Sequence, residues 1–483
     1  MKFEDTIIAP ATIPGTGAIS IVRISGPQSF EAGDKVIDLR NGKLADTPGG
    51  RVKFGTITLP DGTPLDDVLV SVFRDPHSYT GEDSIEISCH ASSYIVDKII
   101  ELFIGEGLRI AEHGEFTKRA FINGKMDLAQ AESVADLIAS EGAAAHKVAI
   151  SQLRGGFSKE LQELRAQLLE MASLMELELD FSEEDVEFAD RSKLNSVLDT
   201  ALHHIDKLVR SFKLGNAIRN GVPVAIAGPA NAGKSTLLNS LLHEDRAIVS
   251  SIAGTTRDTI EETVNMDGIL FRFIDTAGIR DSEDLVEKIG IDRTFKKINE
   301  ADVIIGVLDC GMDHLAEGAK MIVSKVDFTT QHLVLLLNKV DFYAQEVVAR
   351  AQAEVQSVFT EAGISLDLPT DGTPASGAPA TLLMISAQSE SDCEQVARLL
   401  VAQMKDKIGA GNQTLVTNYR HYQALSEARG CLERVKDGLN LGIPTDLVSQ
   451  DLREGLSKLG AILGIIDCSE ILGNIFEHFC IGK

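Results

Sequence analysis

The spacing of apolar residues divides the chain into stretches of different character. Up to about residue 122 they alternate or cluster in short runs, at 18–25, 51–59, 66–73 and 83–90, with Gly, Pro and Asp between them. That is a pattern of strands and turns. From about Asp127 the spacing lengthens. Leu161, Leu164, Leu168, Ala172, Met175 and Leu179 step by three or four and form one helical stripe. Around Gly221 short apolar strands begin to alternate with helices, as in a parallel α/β sheet, and this continues to about residue 406. Within it, residues 369–380 read as a loop. The final stretch is helical again, with Leu452, Leu456, Leu459 and Leu463 on one face. A helical region split by an α/β region implies that the second is inserted into the first.

Length and charge refine this picture. A chain of 483 residues is too long for one ordinary core and predicts several domains. The net charge of −26 counts against nucleic-acid binding through a broad basic face, so an RNA substrate would need a local patch or a partner. The six cysteines lie far apart without a CxxC pair, which suggests neither a disulfide framework nor a zinc site. No apolar run reaches the roughly 18 residues that a membrane helix needs. The opening residues lack the pattern of a secretory signal. The expected compartment is the cytoplasm, with no membrane partner.

The chemistry concentrates in the α/β region. An apolar strand at 224–227 leads into Gly228-Pro229-Ala230-Asn231-Ala232-Gly233-Lys234-Ser235, and a helical TLLNSLL beginning at Thr236 follows. This is a P-loop in its required context. The glycines let backbone N–H groups face phosphates at a helix N-terminus, Lys234 reaches the β- and γ-phosphates, and the Ser235 hydroxyl holds Mg²⁺. A strand at 270–274 ends in Asp275-Thr276-Ala277-Gly278, with a carboxylate near the metal and a glycine N–H able to sense a γ-phosphate. A strand at 333–337 ends in Asn338-Lys339-Val340-Asp341. Asp341 can accept N–H bonds from guanine N1 and its 2-amino group. Adenine lacks the second donor, and a carboxylate left unpaired is costly. Ser386-Ala387, after a strand at 382–385, fits a further loop against the base. In this order the motifs predict GTP binding. Between the first two lies Ser250-Ser251-Ile252-Ala253-Gly254-Thr255-Thr256-Arg257-Asp258, in which Thr256 is the candidate switch threonine on Mg²⁺. The residue after Gly278 is Ile279, which cannot orient water as the glutamine of many regulatory GTPases does.

These motifs, the opening residues, the GEFTKRAFINGKMDLAQAE stretch at 114–132 and the terminal Cys480-Ile481-Gly482-Lys483 together resemble the MnmE (TrmE) family of tRNA-modification GTPases over essentially the whole chain. The resemblance implies a multidomain fold. An α+β N-terminal folate-binding and dimerisation domain occupies 1–122, and an α-helical bundle domain is built from 123–215 and 407–483. An α/β P-loop G domain is inserted at 216–406. It also implies a homodimer that joins a flavin-dependent partner, MnmG, as a heterotetramer and modifies carbon 5 of the wobble uridine in certain tRNAs. The one-carbon unit comes from a tetrahydrofolate derivative, 5-formyl- or methylene-tetrahydrofolate.

Residue by residue, the resemblance assigns a K⁺ site to Asn231, Ser250, Ile252 and Thr255, where the ion replaces an arginine finger. It assigns the water-orienting role to Glu287, which joins Lys234 and Thr256 as the catalytic set. It assigns the folate pocket to Arg23, Glu86, Lys125 and Lys483. Arg23 shares a strand face with Ile19 and Ile21, where a charge is unexpected, and Glu86 alternates out of phase with Ile85 and Ile87. Basic groups suit a folate's glutamate tail, and a carboxylate suits its pterin edge. Cys480 is either a reactive thiol or a buried terminal cysteine. The family commonly has Arg-Pro after the first P-loop glycine, where this chain has Pro229-Ala230. The G motifs alone also fit a ribosome-assembly switch without modification chemistry, but no basic RNA-binding appendage is evident.

Overall fold

The computed structural model describes residues 3–180, 191–244, 262–274, 299–369, 378–409, 414–465 and 482. The chain divides into two compact units. One comprises Met1–Ile138, Ile150–Leu202 and Glu427–Lys483, and the other Ala139–Ala149 and His203–Ser426.

The first unit holds a seven-stranded sheet of β1 (Ile7–Pro10), β2 (Ser20–Ser25), β3 (Ile37–Leu39), β4 (Arg51–Thr58), β5 (Pro64–Phe73), β6 (Ser84–Cys89) and β7 (Arg109–Ile110), in the order β3-β4-β5-β6-β2-β1-β7. The strands read from the sequence are present, but the region is not strands and turns alone. Helices Ser29–Val36, Ser93–Gly105 and Glu115–Ile122 lie among them. The helix Ser93–Gly105 buries Ile99 and Phe103, with Ile95, Val96, Ile100 and Leu102 packed against the sheet core. Ile95, Ile99 and Phe103, with Val96 and Ile100 beside them, step by four, so the helical period is present in the sequence and the reading as strands and turns passes it over.

Arg119, in the Glu115–Ile122 helix, is wholly buried and pairs with Glu115 at 2.9 Å and Asp5 at 2.8 Å. A buried guanidinium is tolerable only with such partners. The stripe foreseen in the long helix Gly156–Asp180 is real, since Leu161, Leu164, Leu168, Ala172 and Met175 are all buried. So are Leu452, Leu456, Leu459 and Leu463 in the helix Thr445–Leu463.

The second unit is built on another seven-stranded sheet: β8 (Val222–Ala227), β9 (Glu262–Met266), β10 (Ile269–Ile274), β11 (Val303–Asp309), β12 (His332–Asn338), β13 (Leu366–Asp367) and β14 (Ala380–Met384). The order is β13-β14-β12-β11-β8-β10-β9, parallel except for the β9–β10 hairpin. Helices cover both faces, so the strands are apolar on both. Val222, Val224 and Ile226 pack with Leu237, Leu241 and Leu400, whereas Ala225 and Ala227 pack on the other side with Leu308, Ala319 and Val355. Periodicity does not reveal that residues 139–149 belong with this sheet. Asn265 Nδ2 donates to the Glu141 carbonyl, and a Cβ on Gly142 would come within 2.6 Å of the Gly268 carbonyl oxygen. Residues 370–377, most of the expected loop, lie outside the described residues.

Candidate functional site

The parallel strands end at one edge, where an open α/β sheet binds ligands. β8 runs into the P-loop and then into the helix Lys234–Glu244. Two glycines make the loop possible. A Cβ on Gly228 would lie 2.1 Å from the Val307 carbonyl oxygen, and one on Gly233 would lie 2.1 Å from Asn338 Nδ2. Gly233 and Asn231 both have positive φ, 99° and 59°. The backbone therefore curls into a cradle that side chains at those glycines would fill.

Lys234 Nζ donates to the carbonyls of Gly228 at 2.9 Å and Pro229 at 2.7 Å. Burial pushes its pKa below the usual lysine value, because desolvation disfavours the charged ammonium. Such a charge is suited to an anion arriving from the loop side. Ser235 is half-buried and Thr236 exposed at the start of the helix.

Asn338, 2 % exposed, ties three loops together. Its Nδ2 donates to the Ala232 carbonyl at 2.7 Å, and its Oδ1 accepts from the Ala387 N–H at 2.8 Å. The Ser240 hydroxyl donates to the Ala387 carbonyl at 3.0 Å, and the Ser386 N–H donates to Asp392 Oδ2 at 2.7 Å. The P-loop, the Asn338–Asp341 turn and the Ser386-Ala387 loop thus form one assembly. Lys339 adopts φ 66°, and its ammonium lies 2.8 Å from Asp309 Oδ2. Asp341 is exposed. Asp309 and Tyr343 are members of this neighbourhood that sequence reading missed. Asp309 ends an apolar strand just as Asn338 does, and that was the available signal.

Ser250, Ser251, Ile252, Ala253, Gly254, Thr255, Thr256, Asp275, Thr276, Ala277, Gly278, Glu287, Cys480 and Lys483 lie outside the described residues.

In the first unit, β2 and β6 pair Arg23 directly with Glu86. Arg23 Nε donates to Glu86 Oε1 at 2.9 Å, and NH1 donates to the Gly482 carbonyl at 3.4 Å. The guanidinium also lies 5.4 Å from the centre of the Tyr79 ring and 5.7 Å from that of Phe116. Gly482, with φ 98°, sits so close to β1 that a Cβ would meet the Pro10 carbonyl oxygen at 2.0 Å. Arg23 does share a face with Ile19 and Ile21, but the inference drawn from that face is corrected. Ile19 is 67 % exposed and Ile21 half-buried, while Val22 and Ile24 carry the core, so a charge on this face is ordinary. Glu86 does lie opposite the buried Ile85 and Ile87. Lys125 bonds neither Arg23 nor Glu86; its Nζ donates to the Pro76 carbonyl at 2.8 Å.

A parallel sheet edged by a P-loop, with an Asn-Lys-x-Asp turn bonded to it, defines a GTP-binding protein of the P-loop class. Comparison with known proteins narrows this. Residues 6–125 match the family model of the GTP-binding protein TrmE N-terminus, and residues 128–480 that of the MnmE helical domain. The tRNA modification GTPase MnmE of Bacteroides thetaiotaomicron is 46% identical over 484 residues, covering 99% of this chain and 100% of that one. Those of Flavobacterium johnsoniae and Bacteroides fragilis are 45% and 47% identical, again over 99% of this chain and over 99% and 100% of theirs. The chain belongs to the MnmE family of tRNA modification GTPases. Among the described residues no helix is long and apolar enough to cross a membrane.

Proposed function

We propose that the protein hydrolyses GTP at the β8–β12–β14 edge and that this cycle serves tRNA modification. The observation that carries the reading is the double bond set of Asn338, which joins the phosphate loop to both base-side loops. On GTP binding, Lys234 leaves the Gly228 and Pro229 carbonyls for the phosphates, and the cradle's N–H groups bind phosphate oxygens. Asp341 reads the guanine edge. Its exposure leaves it open to incoming donors.

Ser235, at the helix start, suits Mg²⁺, with Thr256 as the proposed switch ligand; the ion would neutralise charge on the phosphates. K⁺ would be held by Asn231 with Ser250, Ile252 and Thr255, supplying positive charge near the β–γ bridge. Glu287 would orient the attacking water. The inserted arrangement of the G domain is part of the same reading.

The Arg23–Glu86 pair presents a guanidinium and a carboxylate side by side, flanked by Tyr79 and Phe116. That donor–acceptor fork beside aromatic rings suits a tetrahydrofolate derivative, whose acidic tail Lys125 and Lys483 would hold. The bound folate would supply a one-carbon unit for carbon 5 of the wobble uridine. The relatives' names support the tRNA role, and the homodimer and the flavin-dependent partner MnmG complete the proposal. Mass analysis of wobble uridines tests it. A strain lacking this protein should lose the carbon-5 modification, and a full complement of modified uridine would refute the tRNA role.

A further inference from the structure

The turn that follows β11 is fastened to the base-side loop at several points. The Cys310 N–H donates to the Asn338 carbonyl at 3.1 Å. Asp309 Oδ1 accepts the Gly311 N–H at 3.0 Å, and Oδ2 lies 2.8 Å from Lys339 Nζ. Gly311 packs closely on Tyr343, whose ring a Cβ there would meet at 2.2 Å, and the Tyr343 hydroxyl hydrogen-bonds Asp309 as well. Lys339 stands at φ 66°, a conformation that residues with a Cβ avoid unless their surroundings hold them there. Its neighbours are fixed as well: the Val340 N–H donates to the Ile385 carbonyl at 3.3 Å, and the Phe342 N–H returns to the Lys339 carbonyl at 3.0 Å.

We propose that Asp309 is a positioning residue for guanine recognition. Its ion pair with Lys339 holds that residue in the left-handed conformation from which the 3-10 turn Val340–Phe342 presents Asp341 to the base. The charges are of opposite sign and only partly exposed, 32% for Lys339 and 19% for Asp309, so the pair is less screened than a surface one. Asp309 does not touch the nucleotide in this role. Beside phosphates its charge would repel, and its two oxygens are already engaged by Lys339 and Gly311. The inference rests on the guanine-site reading given above.

The test measures GDP, IDP and ADP affinities of the full-length protein by displacement of a fluorescent nucleotide. IDP lacks the 2-amino group that Asp341 reads, so the GDP:IDP ratio reports how well Asp341 is placed. Asp309→Ala should weaken GDP about tenfold and IDP only ~2-fold, which lowers that ratio. A merely structural loss would lower the melting temperature and leave the ratio unchanged. Asp309→Asn keeps an acceptor for Gly311 but loses the charge; it should also lower the ratio, and it serves if the alanine variant fails to fold. In a Lys339→Gly background the left-handed turn needs no clamp, so removing Asp309 should then change the ratio less than ~2-fold. An unchanged ratio in the folded Asp309 variants, or the same fall in both backgrounds, overturns the inference while the guanine site stands. A wild type that does not prefer GDP to ADP overturns the site reading and the inference together.

Discussion

Asn338 Nδ2 and the Ala232 carbonyl oxygen are 2.7 Å apart, and both residues are almost completely buried. With the bond from the Ala387 N–H, this one side chain sets the spacing between phosphate loop and base loop. Asn338→Ala would leave a buried acceptor and a buried donor unpaired, at about 1–3 kcal/mol each. We expect GDP affinity to fall on the order of 100-fold, as read by calorimetric titration. Asn338→Asp keeps the acceptor for Ala387 but sets a buried carboxylate oxygen against the Ala232 carbonyl oxygen, so its loss should be at least as large. Wild-type affinity in the alanine variant would remove Asn338 from the site's framework.

The two P-loop glycines should fail differently. Gly228→Ala presses a methyl group against the Val307 backbone, which cannot move aside cheaply, so we expect a stability loss of about 2–4 kcal/mol. Gly233→Ala meets the Asn338 side chain instead. It should abolish tight GDP binding with a smaller drop in melting temperature. Thermal unfolding and GDP titration of both variants separate the two effects; equal stability losses with retained binding would contradict the cradle geometry.

Lys234 makes a pH prediction. Burial lowers its pKa, and phosphates bound beside it would raise it. Nucleotide binding at a pH above the lowered value should therefore take up protons. Stability follows the same sign. The unfolded chain holds more protons between the lowered folded pKa and the ordinary lysine value, so Lys234 contributes a rise in stability as pH climbs through that window. Calorimetry in alkaline buffers of different ionisation enthalpy measures the uptake, and Lys234→Met should remove it. Uptake that persists in the variant belongs to another group.

The folate proposal depends on the terminus as well as on the charges. Arg23→Ala leaves Glu86 unpaired and removes the donor to the Gly482 carbonyl, so 5-formyl-tetrahydrofolate binding should weaken by about 1–3 kcal/mol. Gly482→Ala would drive a methyl group into the Pro10 carbonyl and displace the chain end. It should weaken folate binding without touching GDP affinity. Calorimetry with both ligands decides; unchanged folate binding in both variants would dissociate this cluster from the pocket.

The motifs were legible in sequence because each sits where a strand ends: Ala227, Asn338 and Met384 close β8, β12 and β14 immediately before the loops that matter. Strand identity at β2, β4, β5, β6, β8, β10, β12 and β14 was legible because short apolar runs between turn residues admit few readings, whereas the other six strands among the described residues were not read from the sequence. The helix Ser93–Gly105 was legible as well, since Ile95, Ile99 and Phe103 step by four with polar residues at 97, 98 and 101, but it was missed among the strand runs on either side. The face of β2 was ambiguous because both of its rows carry isoleucine or valine, and neighbouring strands decide which row is buried. The Asp309–Lys339 pair joins two strand ends that are distant in the chain, and no local pattern links them. Arg23 and Glu86 were assigned to the pocket through the family resemblance, with support from the strand alternation that holds for Glu86 alone, and their direct register became visible in the sheet.

The claim on which the account rests is that Asp341, on the turn anchored by Asn338, reads guanine. An Asp341→Asn substitution replaces an acceptor with an amide that can donate to the C2 oxygen of xanthine, which stands where guanine carries its 2-amino group. Measured side by side for the wild type and the variant, GDP and XDP affinities should cross over: GDP preferred by the first, XDP gained and GDP lost by the second. An unchanged preference for GDP in the variant would contradict the assignment of this edge as a guanine-reading site.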